Sequence, residues 1–203
     1  MSHALTPASV MEPSPEAEHG AGVYNEKLGM WVFLLSEIMF FTALIGSYII
    51  LRFSHPDAWQ APGKVLNIPV TATNTFLLIC SSVTMVKAYA SIADGNQKML
   101  RLWLVLTVLI GASFVGIQAY EYTHLIEKAF VPSAGLYGST FYTMTGFHGF
   151  HVTMGVICMS FVTWKAFRGR YSATDHRGVE VIGLYWHFVD LVWIILFTIV
   201  YLI

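Results

Sequence analysis

A small set of polar side chains stands inside long apolar stretches of this sequence, and their types and spacing define the chemistry open to it. Glu37 is followed by Ile38, Met39, Phe40 and Phe41; Gln118 and Glu121 share one apolar run, His148 and His151 another, and His187 and Asp190 lie in the last. An ionisable group at mid-depth in hydrocarbon costs about 3 kcal/mol or more unless it is paired or neutralised. Glu37 therefore suits either a proton-handling group or a structural carboxyl bonded to a neighbouring helix or a lipid. Carrying a proton would not by itself establish proton transport.

The histidines admit two readings. His148 and His151 are three apart, share roughly one helical face, and with His187 could offer nitrogen ligands to a metal. A bis-histidine haem, however, needs ligands on opposite sides of the cofactor, which one helical face does not supply. Glu121 and His124 spell one E-x-x-H half of a di-iron site, and no other apolar run contains a second half. Alternatively the histidines pair with carboxylates or backbone carbonyls and fix helix packing; His187 and Asp190, three apart, can meet along one face. In the third apolar run Thr107, Gly111, Phe114, Gln118 and Glu121 recur at spacings of four and three. Such a narrow polar and small-residue face belongs against other helices.

What must position these residues is a set of helices in lipid. The 203 residues are 56% hydrophobic and only 11% charged, with a mean hydropathy of +0.61, well outside the range of a soluble domain. A formal net charge of -1 offers no basic field for nucleic acid and no acidic field for cationic partners. Cys80 and Cys158 each stand alone in an apolar run, so neither a disulfide framework nor a C-x-x-C motif is available. A helix needs roughly 20 apolar residues to cross the hydrocarbon layer. Stretches near 28–52, 69–93, 101–125, 138–165 and 181–203 meet that length, which predicts an all-α integral membrane protein, a bundle of five transmembrane helices. Residues 27–203 form this unit, and residues 1–26, rich in Pro and Glu and without an apolar block, read as a flexible tail.

Turn residues separate the spans at His55-Pro56-Asp57, Asp94-Gly95-Asn96, Pro132 to Gly135 and Arg168-Gly169-Arg170. Orientation follows from the basic residues. The tail, the second and fourth loops and their flanks hold Lys27, Lys87, Lys98, Arg101, Lys165, Arg168, Arg170 and Arg177, whereas the other side holds only Arg52, Lys64 and Lys128. The N-terminus is thus expected in the cytoplasm and the C-terminus in the periplasm, with Tyr24, Trp31, Trp59, Trp103, Tyr137 and Tyr171 available as interface anchors.

Taken in order, SEIMFF (Ser36 to Phe41), GIQAYEY (Gly116 to Tyr122), GFHGFHVTMG (Gly146 to Gly155) and YWHFVDLVW (Tyr185 to Trp193) resemble subunit III of cytochrome c oxidase. The resemblance runs from about Lys27 to Ile203 and fits the shorter five-helix bacterial form, which lacks two front helices of the seven-helix members and also occurs in quinol oxidases. It implies a multi-pass subunit of the bacterial cytoplasmic membrane without haem or copper of its own. Those cofactors are expected in the partner subunits, and the partners are the catalytic subunit I, subunit II and phospholipid held in a V-shaped cleft. It further implies support of proton uptake and protection of the oxygen-reducing site during turnover. Glu37 matches the family's glutamate in S-E-x-x-F-F, and Gln118, Glu121, His148, His151, His187 and Asp190 fall in the other three motifs. Phe40, Phe41, Gly46, Phe141, Phe147, Gly149, Trp186 and Trp193 are candidates for lipid or subunit contact.

Other readings stay open at this point. Within the family's reach are a quinol oxidase subunit and an accessory protein of nitric oxide reductase. From another class comes a stand-alone proton-coupled transporter with Glu37, Glu121, His148 and Asp190 as relay. Transporters of that sort show matched repeats and broken helices, whereas here Pro69 and Pro132 fall at span edges.

Overall fold

The computed structural model describes residues 24–59 and 62–202; of the tail expected over residues 1–26, residues 1–23 lie outside them. Five helices among the described residues are long and apolar enough to cross a membrane. They are α1 (Asn25–Ser54), α3 (Ile68–Ala93), α4 (Gln97–Glu127), α5 (Leu136–Phe167) and α6 (Arg177–Phe197), with a four-residue helix α2 (Pro62–Val65) between the first two. The last turn, Thr198–Leu202, widens into a π-helix. The tail expectation needs one correction at its end. Helix α1 already starts at Asn25, and the Tyr24 hydroxyl donates to Glu180 Oε2 at 2.6 Å. Burial and the Glu180 carboxylate hold that hydroxyl above its ordinary pKa, so it remains a donor at neutral pH.

The turns follow from local chemistry. Helix α3 starts with Pro69 in its first turn, where a missing N–H costs nothing. Between α3 and α4 the chain reverses at Gly95, whose φ of +74° favours glycine, and the Asn96 side chain then accepts from the Met99 N–H to cap α4. Helix α5 ends just before Gly169, which has a φ of +69°.

Helices α3, α4, α5 and α6 close a four-membered ring in which each packs on the next and α6 returns to α3, while α1 lies outside against α5 and α6. Because lipid tails are as apolar as side chains, close packing and hydrogen bonds must hold such a ring together. Trp186 shows how. Its ring is fully buried, and a Cβ at Gly111 or Gly155 would come within 2.7 or 2.9 Å of it. Its indole N–H donates to Ser81 Oγ at 2.9 Å. One side chain of α6 therefore engages α3, α4 and α5 together. Trp193, one helical repeat on, donates to Thr75 Oγ1 at 2.9 Å.

Candidate functional site

The intramembrane polar residues fall into three separate groups. The first joins α1 to α5. Glu37 Oε2 lies 3.0 Å from His151 Nε2, and both side chains are largely covered. Their helices bring them together because Phe41, one turn beyond Glu37, inserts against His151, Phe188 and His148. The other imidazole nitrogen, Nδ1, lies 2.7 Å from the Phe147 carbonyl oxygen. A carbonyl can only accept, so Nδ1 carries a proton. A hydrogen bond between Glu37 and His151 then requires one further proton, on the carboxyl or on Nε2, and in both arrangements the pair has no net charge. A neutral pair is the form in which these groups are least costly in lipid.

The second group lines the inside of the ring. The expected face of α4 is there: Thr107, Gly111, Phe114, Gln118 and Glu121 are all buried. Glu121 Oε1 accepts from Thr71 at 2.7 Å, Thr107 meets Thr84 at 2.7 Å, and Tyr122 meets Thr145 at 2.6 Å. His124, the other half of E-x-x-H, points elsewhere, with Nδ1 3.5 Å from Glu127 at the exposed end of the helix. His148 stacks on Trp193 with ring centroids 4.7 Å apart, and neither of its nitrogens has a hydrogen-bond partner among the described residues. His148 and His151 both touch Phe41, but only His151 meets a carboxylate, and His187 of α6 bonds instead to α3. No group of three or more His, Cys, Asp or Glu side chains placed to hold a metal occurs among the described residues.

The third group lies between α6 and α3. The spacing of His187 and Asp190 suggests that they meet on their own helix, but His187 Nδ1 instead lies 2.6 Å from Ser82 Oγ of α3. Asp190 is 4% exposed, and neither carboxyl oxygen has a hydrogen-bond partner among the described residues, while the Ser82 hydroxyl bears on it electrostatically. The α3 residues Thr71, Asn74, Thr75, Ser81, Ser82 and Thr84 were not anticipated as part of any site. Their signal is a helical spacing along the second span, three and four within Thr71, Asn74 and Thr75 and seven from Asn74 to Ser81 and from Thr75 to Ser82.

Several surface assignments are corrected. Trp186, Trp193, Phe41 and Phe141 are buried within the chain, so they serve its own packing rather than a lipid or subunit contact. In a span where every position is apolar, hydropathy does not tell which side faces the bundle. Phe147 is exposed, Phe40 is half-buried against it, and Gly46 and Gly149 have open space beside them. These four lie where an external partner can reach them.

Comparison with known proteins gives a consistent family. The sequence matches the family described as cytochrome c oxidase subunit III over residues 8–203. It is 39% identical over 176 residues to cytochrome c oxidase subunit 3 of Thermostichus vulcanus, covering 86% of each chain. It is 42% identical over 176 residues to cytochrome c oxidase subunit 3 of Synechocystis sp., covering 86% of this chain and 74% of that one. A probable quinol oxidase subunit 3 from Staphylococcus haemolyticus is 33% identical over 180 residues, covering 87% of this chain and 88% of its own.

Proposed function

The chain belongs to the cytochrome c oxidase subunit III family, and on that premise we propose that it is the non-redox third subunit of a proton-translocating haem-copper oxidase in aerobic respiration. It lies in the bacterial cytoplasmic membrane with its N-terminus inside, beside the catalytic subunit I and subunit II, which hold the haem and copper. Its contribution is helix surface, lipid sites and control of the proton environment, while the partners' cofactors carry the redox chemistry.

The observation that carries this reading is the Glu37–His151 pair. A unit that holds one shared proton without net charge can buffer protons beside a proton-consuming partner. It lies on the outer helix α1, close to the accessible Phe40, Phe147 and Gly149, where a neighbouring subunit would dock. For phospholipid the best-suited place is the groove of about 860 Å³ between α1, α5 and α6. Lys165 and Arg177 stand at the helix ends to meet a phosphate, and Ile157, Phe161 and Ile182 offer an apolar wall for a chain.

A quinol oxidase is the second reading, favoured by the Staphylococcus relative. The greater identity to the two cytochrome c oxidase subunits supports cytochrome c as the electron donor. Purification of the tagged chain in a mild detergent tests the assignment. The expected preparation contains a haem-copper catalytic chain, a subunit with a two-copper domain and phospholipid, and the tagged chain separated from them is colourless. Stoichiometric haem or iron on the isolated chain, or oxidase turnover without larger partners, overturns it.

A further inference from the structure

We propose that Asp190, Ser82 and His187 form a second proton-holding site, loaded from the groove between α3 and α6 through the imidazole and the serine hydroxyl. The inference stands on this chain's own geometry and does not depend on the oxidase reading.

Asp190 is the buried acid of the set. Both its oxygens are enclosed without a bonded partner, and no Lys, Arg or His nitrogen lies within ion-pair reach among the described residues, which hold only the Lys27–Glu180, His124–Glu127 and His151–Glu37 pairs. An ionised carboxylate there would be an uncompensated charge inside the membrane, so the carboxyl is a natural resting place for a proton. On the elements packed against α6, Glu37 of α1 is engaged with His151 of α5, His148 of α5 stacks on Trp193, and Tyr201 follows in the π turn. None of these, nor Cys80 of α3, hydrogen-bonds to Asp190.

Access runs along one stripe of α6. Glu180, Gly183, His187 and Asp190 recur at spacings of three, four and three, so they line one face over roughly 15 Å of helix. A groove of about 240 Å³ follows that face, lined by Glu180, Gly183 and His187 on α6 and by Met85, Val86 and Tyr89 on α3. Gly183 keeps it open, since a Cβ there would sit 3.3 Å from Met85 Cε. At the outer end Glu180 is held by Tyr24 and Lys27. At the inner end His187 is only half-buried and presents Nδ1 to Ser82.

Ser82 completes the route because a hydroxyl has one proton to give and lone pairs to receive another. A proton arriving at His187 Nε2 lets Nδ1 pass its own proton to Ser82 Oγ, and once the Ser82 and Asp190 side chains turn to meet each other the serine proton moves to an Asp190 oxygen. One N–H bond and one O–H bond break, and an N–H and two O–H bonds form, counting the proton that entered. The imidazole ends neutral and Asp190 ends as the acid. Release is the reverse, with rotation of the serine hydroxyl resetting the file.

Infrared spectroscopy of the full chain in the complex with which it purifies tests the site, by comparing spectra in H₂O and D₂O. The expected result is a carboxylic acid C=O band that Asp190→Asn removes and Asp190→Glu shifts. Its exchange with D₂O slows by about tenfold or more in Ser82→Ala, the effect of losing one bonded link, and stays fast in Ser82→Thr, which keeps a hydroxyl. If Asp190→Asn fails to assemble, the Asp190→Glu shift and the paired serine variants decide. An unchanged acid band in every Asp190 variant obtained, or equal exchange in Ser82→Ala and the parent protein, overturns the proposal.

Discussion

In α1 only 6% of the apolar stretch is buried within the chain, whereas in α6 the share is 50%. The two helices are held by correspondingly different means. Helix α6 is locked in the ring by Trp186 and Trp193, whose rings are buried and whose N–H groups reach α3. Helix α1 buries only Phe41 and Tyr48, rests Met30, Leu34, Phe40, Leu44 and Ile45 partly buried against the core, and adds polar ties at two depths, Tyr24 and Lys27 to Glu180 near one end and Glu37 to His151 in the interior. Since hydrophobic burial does not drive helices together in lipid, a helix with little packing must be fastened by specific bonds. The polar groups of α1 therefore attach the helix.

The contrast is broken most severely in the ring. Trp186→Ala is expected to cost on the order of 3–5 kcal/mol, the range for emptying a buried aromatic site. Loss of folded yield and a lowered Tm in detergent check this; a normal Tm would mean that Trp186 does not hold the ring. Next comes Gly155→Ala, which presses a methyl against Trp186 and Tyr185 and is expected to cost about 1–3 kcal/mol by overpacking. Adding Trp186→Phe should return part of that loss in the same thermal measurement.

Changes in α1 should be no larger than that and local. Glu37→Ala leaves His151 Nε2 without its partner and is expected to cost about 1–3 kcal/mol in attachment of that helix. Amide hydrogen exchange should rise in α1 while α3 to α6 keep their protection; uniform loss across all helices would erase the distinction drawn here. Lys27→Ala should have the least effect, because the pair is partly exposed and water screens it. Its effect should shrink further at high salt, read from the same exchange profile.

Much of this arrangement is legible in the sequence, for reasons that differ by element. Helix length and turn residues mark the five spans, and the face Thr107 to Glu121 is visible because small and polar residues contrast with the lipid-facing side of α4. The motifs carrying Glu37 and His151 are visible too, yet their pairing is not, because two whole spans, α3 and α4, lie between the partners in sequence and the local pattern does not encode how they pack. His187 illustrates the limit most sharply. A spacing of three suggests Asp190 as its partner, but helical side chains at that spacing can both turn toward a neighbouring helix, and Ser82 there accepts the contact. The burial of Trp186 is hidden for a further reason, since an aromatic ring suits the bundle interior and the lipid face alike.

Activity of the assembled oxidase carrying Glu37→Gln tests the supporting role most directly. The account predicts that the complex assembles and keeps most of its initial rate, with activity then declining faster than in the parent enzyme as turnovers accumulate. Near-complete loss of the initial rate in a fully assembled, lipid-replete complex would contradict it and make Glu37 an obligatory proton carrier.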